Sequence, residues 1–494
     1  MKQTTRTLIT LVVLAAAGAG LALYASWGVQ KADERHEAQK DHDDRLFAPE
    51  KVGEKGADGG TVEVAFVKLT LTTSGVTTTV ERNGNGAWQV TAPVAAPADR
   101  FAIDAVTSQL QTTKIKAVID EAPDAAAEAK YGLVAPQWVL VAEVLVGDAK
   151  ERRTVTLEGG IENTFDGTVF LRRNHERTVY SVPGGVRWSF AKTTFDLRDK
   201  SIFPADESEV IALSVKGTHS SFTAERDGEK RWRIVQPFDD AADQEALKGM
   251  LGALKNEKAI AFPDDGAAFR HEVGLETPTL VATFTTAGAQ KTTLTFSRQQ
   301  ADGGDTRAFV ARDGALGPLL AEVAPTAPGP LDRSAGELKD RAILTFPRDA
   351  VRSVRVHPAS GDDVVLERSA GTDGGAETWA VKGPGGGPAK PFKLATLLWT
   401  LGSLKATTFG DTRPKDWAKY GLGPSARSVT LVDGAGAVLA RLELGKDVPG
   451  KPGLIYFRGN RDQVLEGDAS RLTEIPFTAA EVLEPAAQKK DAGG

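Results

Sequence analysis

Cysteine is absent from this 494-residue sequence, which excludes disulfides, thiolate metal sites and Cys nucleophiles. The lipidated cysteine of a lipoprotein is excluded with them. Histidine is scarce, with 6 residues, of which His175, His219, His271 and His357 stand in unmatched contexts, and few options remain for acyl-transfer chemistry. Positive charge is not in excess. The 60 basic residues face 66 acidic ones, a net of −6, so nothing draws the chain as a whole to nucleic acid or to an anionic membrane face. Phosphate-loop and nucleophile-elbow motifs are missing too. Gly445-Lys446-Asp447 lacks the upstream Gly and the hydroxyl that a phosphate loop needs, and no Gly-x-Ser-x-Gly occurs.

Long apolar runs are rare, with one exception at the start. Residues 8–27 carry no charge, and at about 1.5 Å per residue they can cross about 30 Å of hydrocarbon. Lys2 and Arg6 precede the run, while Tyr24 and Trp27 close it, where an aromatic belt lies. The expectation is a cytoplasmic stub (1–7), a retained single-pass transmembrane helix (8–27) and the rest of the chain outside the cytoplasm. A cleaved signal peptide fits less well, because the run is long and no clean Ala-x-Ala site follows it. Residues 28–60 are dense in mixed charge and then in Gly, as in a solvated stalk, and residues 483–494 read as a disordered tail.

Between them the sequence repeats itself. Trp88, Trp232 and Trp379 are 144 and 147 residues apart, and each opens a short strand that closes on a proline, Pro93, Pro237 or Pro384. A Gly-Leu pair follows 42 to 44 residues later: Gly132-Leu133, Gly274-Leu275 and Gly421-Leu422. Next come Phe170 with Arg172, Phe309 with Arg312, and Tyr456 with Arg458, 38, 35 and 35 residues after the Gly. These periods describe tandem domains, over 61–203, 204–346 and 347–482. In each, alternating strands and a turn lead into the Trp strand, and pairing stops at the Pro, which has no N–H to give. An amphipathic helix comes next, with Leu394, Leu397, Leu398, Leu401 and Leu404 on one face in the third unit. Leu247, Met250, Leu251 and Leu254 play that part in the second, and Phe101, Val106 and Leu110 in the first. The Gly-Leu pairs, behind Tyr131, Val273 and Tyr420, predict a left-handed glycine ending a helical turn, with Leu folding back on it. The fold class is therefore α+β: three tandem repeats, each a mostly antiparallel sheet with one or two helices.

The first two units end alike, in Arg198-Asp199-Lys200 before Phe203-Pro204 and in Lys339-Asp340-Arg341 before Phe346-Pro347. The third ends at Ile475-Pro476-Phe477 without these charges. The charged segments therefore read as inter-repeat junctions, placed to salt-bridge neighbours.

On the Trp-x-Val-x-x-Pro strand, the Tyr-Gly-Leu-x-x-Pro corner and the Leu-Arg-Asp-Lys segment, the chain resembles a bacterial family, domain of unknown function 4340. The likeness runs from about Val62 to Val482 in three copies. The second departs most, with Val273 where Tyr stands in the others. The resemblance implies a membrane-anchored extracytoplasmic component linked with gliding-type ABC transport systems, and it brings no catalytic residues.

No catalytic, cofactor or metal residues are assigned. His36 and His42 with Asp41, Asp43 and Asp44 read as a solvated charge run, and Asp239-Asp240, Asp264-Asp265 and Asp362-Asp363 as caps and turns. The expected function is a non-enzymatic scaffold or auxiliary subunit with protein partners in a membrane complex. An envelope glycan- or peptidoglycan-binding module is the alternative, and it needs an exposed face on Trp88, Trp232 or Trp379. An unrecognised hydrolase comes third.

Overall fold

A computed structural model describes residues 27, 29–51, 62–263, 266–300, 304–369 and 378–484. The apolar run lies outside them except for Trp27, as do most of the Gly-rich part of the stalk, Asp264-Asp265 and residues 485–494. No helix among the described residues is long and apolar enough to cross a membrane. The described chain opens instead on a charged, exposed helix, α1 (29–44).

The first repeat comprises β1 (Val64–Thr73), β2 (Val76–Arg82), β3 (Trp88–Ala92), β4 (Ala96–Pro97), α2 (Arg100–Thr112), β5 (Ala117–Asp120) and α3 (Ala125–Tyr131). It continues with β6 (Trp138–Val146), β7 (Glu151–Asn163), β8 (Thr168–Arg173), β9 (Val179–Pro183), α4 (Val186–Phe190) and α5 (Thr194–Leu197). Its sheet runs β4-β3-β2-β1-β6-β7-β8-β9-β5, antiparallel throughout. Strict alternation puts Trp138, Leu140, Ala142, Val144 and Val146 of β6 on the inner face. Helices α2, α4 and α5 cover that face with Ile103, Val106, Leu110, Val186, Phe190 and Leu197. Each such side chain contributes about 1.5–3 kcal/mol on burial. Phe101, expected on the inner face, is 84% exposed. It stands at the second position of α2, and the stripe that meets the sheet is 103, 106 and 110.

The second repeat comprises β10 (Val210–Gly217), β11 (Ser221–Arg226), β12 (Trp232–Gln236), β13 (Asp240–Ala241), α6 (Gln244–Asn256), α7 (Gly266–Glu272), β14 (Leu280–Thr286), β15 (Lys291–Gln300), β16 (Thr306–Gly314) and β17 (Leu319–Val323). Its eight-stranded sheet contains a β13-β12-β11-β10 meander and a β15-β16-β17 meander. Leu247, Met250, Leu251 and Leu254 of α6 are all buried.

The third repeat comprises β18 (Ser353–His357), β19 (Val364–Ser369), β20 (Thr378–Lys382), β21 (Gly387–Pro388), α8 (Pro391–Ser403), β22 (Thr408–Thr412), β23 (Arg427–Val432), β24 (Val438–Asp447), β25 (Leu454–Arg458), β26 (Gln463–Asp468) and α9 (Ala479–Val482). Its order, β21-β20-β19-β18-β23-β24-β25-β26-β22, repeats that of the first sheet strand for strand.

By packing, the described residues fall into two compact units. One draws on 1–209, 252–283 and 288–330, the other on 210–251, 284–287 and 331–494. The compact units are thus not the sequence repeats, since residues of the middle repeat belong to both.

Candidate functional site

The residues that mark the repeats form two local structures in each copy. In the first, the Trp is buried, at 8, 2 and 8% exposure for Trp88, Trp232 and Trp379. On the neighbouring strand an arginine stands directly opposite: Arg82, Arg226 and Arg368 are the register partners. Their guanidinium carbons lie 4.7, 4.6 and 6.0 Å from the indole centroids. The rings are held between a cation and the core and offer no face to a sugar, so the glycan alternative is not available at these three positions. Strands β3 and β12 end one residue before Pro93 and Pro237, and β20 ends two before Pro384.

In the second structure, Gly132, Gly274 and Gly421 take φ of 72, 74 and 73°. Their N–H groups donate three residues back, to Ala129, His271 and Ala418, and the following Leu N–H reaches Glu128, Arg270 and Trp417. The corner aromatic packs on the strand aromatic, Tyr131 on Phe170 at 4.9 Å and Tyr420 on Tyr456 at 5.0 Å. The second repeat lacks the corner Tyr, and Phe269, one helical turn before Val273, packs on Phe309 at 5.6 Å. Tyr131 donates to Asp120 and Tyr420 to Asp411. Burial and then the Asp120 charge push the Tyr131 phenol up; at Tyr420 the hydrogen bond to Asp411 does so first. Arg172 and Arg458 stand opposite Glu158 and Glu443 in register and pair with them. Arg312 does not share this place. It follows its aromatic by three residues instead of two, so strand alternation turns it to the other face, and Ala311 takes the place beside Phe309 on the corner face.

That other face meets the junctions. Each repeat closes with a capped turn: Thr193 with Asp196, Ser334 with Glu337, and Thr478 with Glu481. The chain beyond it pairs with its own repeat. Asp99 N donates to Leu197 O and Asp199 N to Pro97 O; Asp243 N donates to Leu338 O and Asp340 N to Ala241 O. The third copy does likewise, with Lys390 N on Val482 O and Glu484 N on Pro388 O. The closing segment expected to be missing from the last copy is therefore present, without flanking cations, and Leu483-Glu484 belongs to the body and not to the tail.

Two residues further on, the same strand enters the next repeat. Ser201 pairs with Lys258, and Ala342 with Lys405. Arg45 pairs with Lys114 in the same way, so residues 43–47, at the end of α1, enter the first repeat as the junctions enter the second and third. Apolar pairs plug each entry: Leu46 and Phe47, Ile202 and Phe203, Ile343 and Leu344, none more than 5% exposed. Within the stretch expected to be a solvated stalk, Leu46 and Phe47 are therefore buried, because they have a core to enter.

The receiving repeat grips the incoming backbone. Arg173 donates to Arg45 O, and Arg312 to Ser201 O and Ile202 O at 3.0 Å each. Burial pushes Arg312 below its ordinary value, with the Asp199 charge opposing. In the third repeat Gly459 and Asn460 serve instead, and a Cβ on Gly459 would stand 1.8 Å from Ile343 O. The cations of the junctions lie over aromatic rings: Arg198 over Phe262 at 3.8 Å, and Lys339 over Phe238 at 4.1 Å and Phe409 at 5.2 Å. Around the second junction, Asp240 pairs with Lys339 and Arg461, and Arg461 also with Asp340, all at 3.2–3.3 Å. Asp240, expected as a cap, is an ion-pair anchor.

Two signals for this joint are visible in the sequence and were missed. A lysine stands 26 residues after each Trp (Lys114, Lys258, Lys405), and Asp43-Asp44-Arg45-Leu46-Phe47-Ala48-Pro49 parallels the two junctions. Among the described residues no group of three or more His, Asp or Glu could hold a metal ion. His175, His219 and His357 each bond a carboxylate, of Glu158, Asp332 and Asp363.

A family model described as domain of unknown function (DUF4340) matches residues 88–232, 232–377 and 379–489. Each match begins on a Trp strand, and the first two run through a junction to the next Trp, so the joint lies inside the family unit. No curated protein and no solved structure matches the chain.

Proposed function

We propose that this chain, which belongs to the DUF4340 family and carries its domain three times over, is a membrane-anchored scaffold or auxiliary subunit of a bacterial membrane complex. Residues 8–27 anchor it in the inner membrane as a single pass, with the repeats in the periplasm, and an ABC-type transport system of the gliding class is the complex it serves. The observation that supports this reading most is the joint. Every repeat is entered by a buried, hydrogen-bonded strand from the chain before it, a construction suited to holding modules in series. Two kinds of polar cluster among the described residues serve the fold itself: Asp240–Arg461–Asp340 braces the second junction, and Glu158–Arg172 and Glu443–Arg458 brace the corners.

Crosslinking in intact cells, followed by purification of the full chain from membranes, is expected to recover integral membrane proteins. A reporter fused after residue 484 is expected to be active only outside the cytoplasm. Recovery of the chain alone, or a cytoplasmic C-terminus, would remove the reading.

A further inference from the structure

The first repeat holds a feature whose residues the other two do not repeat, set apart from the entry strands. Beside the Thr73-Ser74-Gly75 hairpin turn and the start of β6 lies an open cavity of about 900 Å³. On its rim stands Trp188, 70% exposed, with the Arg187 guanidinium over its ring at 4.7 Å and held there by an ion pair to Glu162. A single exposed aromatic is ordinary on a folded surface; the cavity beside Trp188 and the cation over its ring are what give this one a use. The walls supply the hydroxyl of Ser74, the amide of Gln137 and the ammonium of Lys192. Thr73 Oγ1 and the indole nitrogen of Trp138, both in this wall, are buried without a hydrogen-bond partner.

The repeats themselves are the control. Counting back from the shared capping residues Thr193, Ser334 and Thr478, Trp188 corresponds to Gly329 and Thr473, so neither other copy has the platform. Ala191 corresponds to Asp332, whose carboxylate accepts from His219 N and Ser220 Oγ and so ties the second repeat's hairpin turn down. Lys192 corresponds to Phe477 in the third repeat, where Arg427 lies over the ring at 5.4 Å. Only the first copy combines a small residue at 191, an indole at 188 and a cation at 192. Of the nearby acids, Glu162 is committed to Arg187, and Asp196, held by its Thr193 cap, keeps its charge in the same wall as Lys192, which itself makes no ion pair among the described residues.

We infer that this cavity of the first repeat binds a saccharide bearing a carboxylate. The free face of Trp188 stacks on the sugar ring, the Ser74 hydroxyl and the Gln137 amide meet its hydroxyls, and Lys192 takes the acid. An indole platform beside a ring of short polar groups matches a pyranose, which has one apolar face and a polar rim.

The probes are a disaccharide containing N-acetylmuramic acid, which carries a carboxylate, and chitobiose, which has similar rings and none. Binding to the full chain is read by calorimetry and by saturation transfer to the sugar protons. The acidic disaccharide is expected to bind about two- to fivefold more tightly than chitobiose, as one ion pair near a surface allows. Trp188→Ala should abolish binding of both, and Lys192→Gln should remove the preference while leaving binding. Both side chains are at the surface, and an unchanged melting temperature certifies the fold of each variant. Binding that survives Trp188→Ala, equal affinity for the two sugars, or no binding of either at millimolar concentration would overturn the inference.

Discussion

Gly459 shows how one residue can fix a joint. With Ile343 O where its Cβ would be, Gly459→Ala must displace the incoming strand, and a loss of about 2–4 kcal/mol is expected in chemical denaturation. Gly249, exposed in the middle of α6 with open space around it, is the matched control. There the same change should stabilise by about 0.5–1 kcal/mol. The caps give a pH signature. Burial alone would raise Asp196, but the amide and hydroxyl of Thr193 outweigh it and hold the carboxyl below its usual range; Ser334 lowers Glu337 in the same way. A folded-state value below the unfolded one means the stabilisation is complete above about pH 4 and is lost as pH falls through the folded value. Melting temperatures measured from about pH 6 to 3 should therefore fall, and less steeply for Asp196→Asn than for the native chain. Parallel curves would show that the cap is not the source.

At the scale of elements, what could be read from the sequence was what side-chain pattern encodes. The Trp strands, the Leu stripe of α8 and the left-handed Gly corners follow from apolar spacing and from one residue type with a special backbone. The misses share a cause. The joint is made largely by backbone N–H and C=O groups, so its sequence is loose: Asp-Lys-Ser-Ile-Phe, Asp-Arg-Ala-Ile-Leu and Asp-Asp-Arg-Leu-Phe serve alike. The closing turn of the third copy, Thr478 to Glu484, keeps the capping box but drops the charges by which the other two were recognised. Arg312 was displaced by a single residue, and in a strand one residue exchanges the two faces. The ion pairs of the second joint can be tested at this scale. A double-mutant cycle on Asp240→Asn and Arg461→Gln should give a coupling of about 1–2 kcal/mol, since both side chains are about four-fifths buried. A coupling near zero would reduce the network to a surface contact.

For the whole molecule, the joints decide where a repeat begins. The sequence put the third repeat at 347–482, but Ile343 and Leu344 lie within its core cluster and Glu484 bonds to Pro388. A fragment of residues 339–484 should unfold cooperatively. A fragment of 347–482 lacks two buried side chains worth about 1.5–3 kcal/mol each and should be much less stable or insoluble. Equal melting temperatures would contradict the role given to the entry strand. By the same argument Leu46→Ala, at the first entry, should cost about 2–4 kcal/mol and make the α1 region more sensitive to protease.

The family unit runs from one Trp strand to the next, with its connector inside it. Duplication in that frame copies a socket and the plug that fits it in a single event. A lineage can therefore lengthen or shorten such a protein by one copy without leaving a sheet edge bare or having to evolve a new interface.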